Sequence, residues 1–192
     1  MAWEDHKTRC HWANPKNPLY LAYHDTEWGR SVHDDGKLFE MLLLESFQAG
    51  LSWETILNRR ENFRKAFADF DPVTISQYGE EDMSRLKQDA RIIRNGNKIK
   101  AAIGNAKIFL QIQKEWKSFS SYLWHFTGNT IVYETGKTSS PLSDAISKDL
   151  KKQGMKYVGT TIIYAYLQAV GIISGHEPNC FLYVTPQNKI GN

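Results

Sequence analysis

The stretch Met41-Leu-Leu-Leu-Glu-Ser-Phe-Gln-Ala-Gly-Leu-Ser-Trp53, "MLLLESFQAGLSW", is almost wholly apolar apart from Glu45 and Gln48. On a helical period Leu38, Met41, Leu42, Glu45 and Ala49 share one face, while Phe39, Leu43 and Phe47 make the opposite side apolar as well. A helix that is apolar on both sides belongs inside a core, so Glu45 is expected to be buried with it. A lone carboxylate there is costly. Either a core Trp N–H or Tyr O–H binds it, or its partner comes from outside the chain.

Working outward, Asp34 or Asp35 can cap this helix, which should run to about Gln48 and stop at Gly50. Ser52 can cap a following helix through Ile56, Leu57, Phe63 and Phe67. Asp71-Pro72 places a cap before a proline in the first turn, and residues 80–87 read as another helix. Residues 91–98 read as a turn before a long helix whose inner stripe is Ile99, Ala102, Ile103, Ala106 and Leu110. Further helices are expected over residues 119–125, from Pro141 to about Lys152, and from Thr160 to Val170. The first thirty residues, aromatic and punctuated by Asn and Pro, read as irregular, and residues 130–140 as an exposed loop. There are no repeats and there is no strand alternation. The expectation is an all-α fold, one domain of two lobes over residues 1–192.

A chain of 192 residues with 41% hydrophobic composition can bury a sizeable core. The net charge of +3 is uneven: residues 1–45 hold five Lys/Arg against eight Asp/Glu, and residues 46–192 hold nineteen against thirteen. That asymmetry leans towards a polyanionic partner. Two distant cysteines do not make a disulfide framework and suit a reducing compartment. The opening MAWEDHKTRC lacks the apolar core of a signal peptide. The uncharged run from Tyr157 to Gly175 is broken by three glycines and two threonines, a poor membrane span. A cytoplasmic monomer with no membrane partner is expected.

Four constellations could carry chemistry. In Lys151-Lys-Gln-Gly-Met-Lys-Tyr-Val-Gly-Thr-Thr161, a helix, a short turn with two glycines and an apolar helix suit a helix-hairpin-helix element. Free N–H groups opening its second helix can hold a phosphate, or the segment is an ordinary helical corner with solvated lysines. Residues 85–100 hold six Lys/Arg and one acid, either a second backbone clamp or a solvated face. Cys10, His24, His176 and Cys180 could complete a tetrahedral zinc site that ties the two ends of the chain, although Cys10 and His24 are too far apart for a common finger. Buried cysteines and surface histidines are the plainer alternative. Last, Trp12, Tyr20, Tyr23, Trp28 and Trp53 could join Glu45 as aromatic faces around a flat, cationic or amine-bearing ligand.

The segments Tyr20-Leu-Ala-Tyr-His-Asp-Thr-Glu-Trp-Gly29, Leu44-Glu-Ser-Phe-Gln-Ala-Gly-Leu-Ser-Trp53 and Tyr157-Val-Gly-Thr-Thr161, with the ending His176-x-x-x-Cys180, closely resemble the bacterial 3-methyladenine DNA glycosylase I (TAG) family. The likeness runs in order from about Cys10 to Cys180. It implies a helix-hairpin-helix glycosylase that removes 3-methyladenine from double-stranded alkylated DNA in base excision repair. It also implies a structural Zn2+ on Cys10, His24, His176 and Cys180. The same likeness implies a catalytic Glu45 and a base pocket of Tyr23 and Trp53, lined further by Trp12, Tyr20 and Trp28. Gln48, Gly50 and Leu51 would fill the gap left by a flipped nucleotide, and Lys156, Gly159, Thr160 and Thr161 would hold the DNA backbone. Ser46 is a departure: it stands where the best-known members carry glycine, and it would add a hydroxyl beside the pocket. The superfamily's usual aspartate after the hairpin is missing, since residues 160–192 contain none. That agrees with action on labile cationic bases, and no lysine is marked as a nucleophile for strand cleavage. A non-catalytic alkylated-DNA-binding protein, a zinc hydrolase and a plain helical interaction module are the rival readings.

Overall fold

The structure is a computed structural model that describes residues 5–185. Local chemistry sets most element boundaries. Asn17 accepts hydrogen bonds from the N–H groups of Leu19 (3.1 Å) and Tyr20 (3.3 Å), and Pro18 occupies the first turn, which opens α1 (Pro18–Thr26). This helix corrects the irregular reading of the N-terminal segment: the Asn-Pro punctuation is itself a helix start. Asp34 accepts from the Lys37 N–H at 2.8 Å and starts α2 (Asp35–Gln48), in which every residue from Leu38 to Phe47 is buried. Ser52 caps α3 (Trp53–Leu57). The expected continuation to Phe67 breaks at Asn58 and resumes as α4 (Arg60–Ala66), followed by a 3-10 turn over Ala68–Phe70. Packing explains what periodicity could not: Phe63 and Phe67 meet Phe47 edge-on, at centroid separations of 4.9 and 5.7 Å.

Then follow α5 (Pro72–Ser76), α6 (Glu80–Gln88), α7 (Gly96–Trp116) and α8 (Phe119–His125). Asn95 caps α7 by accepting from Asn97 and Lys98 N–H groups, so Gly96–Lys98 is helix rather than the expected turn. The segment expected to be an exposed loop contains β1 (Val132–Tyr133), half-buried and paired in parallel with β2 (Ile173–Ser174). Two-residue strands are too short to show alternation. Between them lie α9 (Pro141–Lys152) and α10 (Thr160–Ala169), joined by the predicted hairpin.

The core is organised around α2. Its Phe39 meets Phe109 of α7 at 4.9 Å, Phe109 stacks on Phe119 of α8 at 4.2 Å, and the Tyr166 hydroxyl of α10 donates to the Leu38 carbonyl at 3.1 Å. Asp35 at the head of α2 accepts from the N–H groups of Phe119 and Ser120, both at 2.8 Å, and so caps α8 as well. Among the described residues no helix is long and apolar enough to cross a membrane.

The chain leaving α1 is laid against the end of α10. Gly29 N–H donates to the Gln168 carbonyl at 3.1 Å and Val32 N–H to the Val170 carbonyl at 3.0 Å. Gly171 permits this approach: its φ is +71°, and a Cβ there would lie 2.3 Å from the Arg30 carbonyl carbon. Gly171→Ala is therefore expected to destabilise the fold by about 3 kcal/mol or more, combining left-handed strain with a backbone clash. Denaturant midpoints check this, and a wild-type midpoint would contradict the close approach.

Candidate active site and metal cluster

Helix α1 serves two sites at once. Tyr20 and Tyr23 lie three residues apart and line one cavity; the next residue, His24, is fully buried and turns into the Cys/His cluster. The start of α1 is tied to α3 through Glu54, which accepts from Asn14 at 2.8 Å and Asn17 at 2.7 Å. Trp53, the residue before Glu54, thereby meets Tyr23 at a centroid distance of 5.3 Å.

The cavity has a volume of about 210 Å³ and gathers all six residues of the predicted base pocket: Trp12, Tyr20, Tyr23, Trp28, Glu45 and Trp53. Gln48 lines it too, as do Ala165 and Gln168 of α10, which sequence reasoning missed. Gln168 is the only side-chain amide in the uncharged run 157–175, a weak signal that nothing local connects to Glu45. Its placement depends on Gly175, where a Cβ would fall 2.3 Å from Gln168 Nε2. Ser46 corrects an expectation. It is buried, its hydroxyl donates back to the Leu42 carbonyl at 2.8 Å, and it is not part of the cavity wall.

Two glutamates of α2 are buried, and they differ in company. Glu40 meets Arg60 at 2.7 Å, Arg64 at 2.8 Å and Lys37 at 3.3 Å. Burial alone would raise its carboxyl, but these cations hold it below the usual carboxylate range. Glu45 is 3% exposed, and its Oε2 has no hydrogen-bond partner among the described residues. Burial pushes its carboxyl up to about 8. The indole N–H of Trp53 is also buried without a partner. Buried orphans are rare in native structures and ask for an explanation. Here a donor and an acceptor on the lining residues of one aromatic cavity are left for a ligand with a polar edge. A larger cleft of about 440 Å³ shares Tyr23, but of its charged residues Glu27, Lys37, Arg60, Glu61 and Arg64 are paired with one another or with Glu40, and Arg30 donates to the Asp25 carbonyl at 3.1 Å.

The predicted metal residues also meet. The ligand atoms of Cys10, His24, His176 and Cys180 all lie within 4.8 Å of one another, and all four residues are buried. Cys10 Sγ to His176 Nδ1, Cys180 Sγ to His176 Nδ1 and Cys180 Sγ to His24 Nε2 are each 3.5 Å. A tetrahedral ion with Zn–S and Zn–N bonds of ordinary length requires S···N edges of about 3.5 Å, so the cluster has the dimensions of such a site. Burial lowers His24, and pushes His176 down to about 4, which keeps the imidazoles neutral as ligation needs. Burial pushes the Cys10 thiol up to about 12, so a bound cation is what would hold it as thiolate. Asp25 lies 2.8 Å from His24 Nδ1, an arrangement that leaves Nε2 for the cluster, and Arg9 in turn grips Asp25 with contacts of 2.8 and 2.6 Å. Sequence reasoning missed both residues, although Asp25 directly follows His24. The cluster and the cavity share walls: Trp12 packs on His24 at 5.1 Å and Trp28 on His176 at 4.7 Å.

The DNA-facing candidates lie at two surfaces. Gly50 and Leu51 are exposed, and Leu51 N–H closes a turn onto the Gln48 carbonyl at 2.6 Å. At the hairpin, Lys156 and Thr161 are exposed, and Gly159 caps α10 without a side chain, so its first N–H groups stay available. The Thr160 hydroxyl is occupied, donating to Asp144 at 2.5 Å and meeting Ser143 at 2.8 Å, which leaves Thr160 only its backbone N–H for a ligand.

Glu45's raised carboxyl has a stability consequence. Its protonated form is favoured on folding, so that contribution is complete below the ordinary carboxylate range and is lost as pH climbs through about 8. Glu45→Gln should therefore become the more stable protein above pH 8, by an amount on the order of a few kcal/mol. Thermal midpoints measured from pH 5 to 9 check this; a gap that does not widen with pH would contradict it.

Comparison with known proteins fits this geometry. A family model described as methyladenine glycosylase matches residues 12–183. The DNA-3-methyladenine glycosylase 1 of Escherichia coli is 48% identical over 188 residues, covering 94% of this chain and 98% of that protein. The DNA-3-methyladenine glycosylase of Haemophilus influenzae is 37% identical over 179 residues, covering 90% and 96% respectively. A variant of 3-methyladenine DNA glycosylase I (TAG), crystallised in complex with 3-methyladenine, superimposes with a TM-score of 0.86 at 33% identity, covering 90% of this chain and 96% of that one. With the family model spanning most of its length and an aromatic cavity built around one unpartnered carboxylate, the chain belongs to the methyladenine glycosylase family.

Proposed function

We propose that this chain is a DNA-3-methyladenine glycosylase: it extrudes 3-methyladenine from double-stranded alkylated DNA and hydrolyses the bond to the sugar. The observation that carries the reading is the unpartnered Glu45 oxygen in the wall of a ring-lined cavity. A base cannot be reached inside the duplex, so it must swing out, at a cost of a few kcal/mol. Methylation at N3 makes adenine cationic in DNA and weakens its bond to the sugar, so the leaving group is already activated. The site has to select the cation, exclude ordinary adenine and admit water.

Glu45 makes that selection. In the empty cavity its carboxyl, near 8, is mostly protonated at neutral pH, and ionising it costs about 1.4 kcal/mol per pH unit. A cationic base repays this by lowering the carboxyl again, and its exocyclic amine donates to the carboxylate; neutral adenine offers no such charge. Tyr23 and Trp53 pack against the ring, with Trp12, Tyr20 and Trp28 completing the wall. Gln48, Gly50 and Leu51 enter the gap left in the duplex. The N–H groups of Gly159, Thr160 and Thr161 hold a backbone phosphate, and Lys156 adds attraction. With its substrate on the chromosome, the enzyme works in the cytoplasm as a monomer.

The Cys10, His24, His176 and Cys180 cluster would hold Zn2+. Four protein ligands leave no open position for an activated water, so its contribution is a cross-link between the two ends of the chain. The surrounding residues support that role. Phe181 N–H donates to the Thr8 carbonyl at 2.8 Å, and His11 N–H to Glu177 at 2.9 Å.

The deciding experiment is release of free methylated bases from alkylated duplex DNA. Wild type should release 3-methyladenine and leave the strands uncut, while Glu45→Gln should be slower by on the order of a hundredfold or more. Tight lesion binding without release would instead identify a non-catalytic binder. For the wild type, kcat/KM should rise with pH through about 8 as Glu45 ionises, and a flat profile would remove its proposed role. Protein purified without added metal should carry about one zinc per chain, and chelation should lower the thermal midpoint. Absence of zinc, or chelation without effect on the fold, would refute the cross-link.

A further inference from the structure

Lys98 is 7% exposed, yet among the described residues its ammonium meets no carboxylate. It donates to two backbone carbonyls, Phe47 at 2.8 Å and Ala49 at 2.6 Å. Phe47 is in the last turn of α2 and Ala49 is its C-cap, where carbonyls lack helical partners and the helix dipole is negative, so a cation suits them. Packing alone would not ask for a lysine here, since an apolar side chain of the same length costs no charge desolvation.

What those carbonyls lead into is the exposed turn ending at Leu51, which is 40% exposed. The chain leaves α2 at Ala49 in a non-helical conformation (φ −44°, ψ 113°), inside the turn that the Leu51 N–H closes onto the Gln48 carbonyl. Among the described residues, Lys98 provides the only side-chain hydrogen bonds to the backbone of residues 47–51. Two turns further along α7, Asn105 takes both main-chain groups of Lys156: its Nδ2 donates to the Lys156 carbonyl and its Oδ1 accepts from the Lys156 N–H, each at 2.9 Å. Between them the Lys98 ammonium sits 5.9 Å from the centre of the Tyr157 ring, and Tyr157 holds a left-handed φ of +55°. Residues 98 and 105 lie on one face of a rigid helix, about 10 Å apart along its axis.

We propose that Lys98 is a positioning residue for the loop Gln48–Leu51, and that α7, through Lys98 and Asn105, fixes the spacing between that loop and the hairpin. The inference rests on the glycosylase reading: one segment enters the duplex where the base leaves while the other grips the backbone, and the two must arrive in register. A loop that is loose relative to the grip leaves the cavity intact but slows extrusion.

Lys98→Met keeps the stem and removes the donors. The variant's affinity for free 3-methyladenine, followed by tryptophan fluorescence, should stay within about twofold of wild type, while single-turnover excision from duplex DNA falls by roughly tenfold or more. Leu51→Ala, an exposed site, supplies the second arm: if Lys98 acts through this loop, Lys98→Met should add little on that background. A folded Lys98→Met with wild-type excision overturns the proposal. So does an equal loss of free-base affinity, or a loss that simply adds to that of Leu51→Ala. If Lys98→Met does not fold, Lys98→Gln, which retains a donor amide, takes its place with the same criteria and a smaller expected loss. Failure of the wild type to release 3-methyladenine would sink the glycosylase reading instead, and the parallel wild-type assay separates the two.

Discussion

Everything in this molecule is arranged around a carboxylate that its own fold leaves unsatisfied. Glu45 sits in a helix buried on every side, and the neighbouring Glu40 shows what the same chain does when it means to neutralise an acid: three cations surround it. No such cation meets Glu45, whose shift comes from burial alone. A buried carboxyl raised by desolvation is unstable as an anion until a positive charge arrives. The cavity beside it is walled by rings that would stack on a flat base and exclude water from it. Under the proposed function, selectivity for a cationic base follows from electrostatics, without a catalogue of specific contacts.

The Cys/His cluster extends this arrangement. His24 follows Tyr23 in α1, so the element that lines the cavity also enters the cluster. Trp12 and Trp28 pack on its histidines from the cavity side. A metal cross-link at this point would fix more than two chain ends: it would also stiffen one wall of the proposed base-binding cavity. Gln168 also lines the cavity, and the Gly29 and Val32 N–H groups tie the chain after α1 to the end of α10 that carries it.

Long-range contacts through α7 connect the two segments proposed to face DNA. Lys98 and Asn105 spend their polar groups on backbone atoms rather than on each other or on solvent. Backbone contacts of this kind specify geometry more than identity, which is what a spacing device requires.

Much of this was legible in the sequence because it is local. Capping by Asp34, Ser52 and Asp71, the two-sided apolar pattern of α2 and the Pro141 helix start act within a few residues, and chain chemistry alone determines them. The Cys and His residues and the aromatic set could also be picked out, since few residue types serve such roles. What only the tertiary structure decided is non-local. Glu40 and Glu45 look alike along the helix, and only packing brings Arg60 and Arg64 to one of them. The two-residue strand pair, the break at Asn58, Gln168 in the cavity that Glu45 lines and Lys98 on the Phe47 and Ala49 carbonyls all depend on partners tens of residues away. A periodic pattern records which side of an element is buried, but which residue it meets there is settled by how the elements pack, and that is why the site's electrostatics emerged only with the fold.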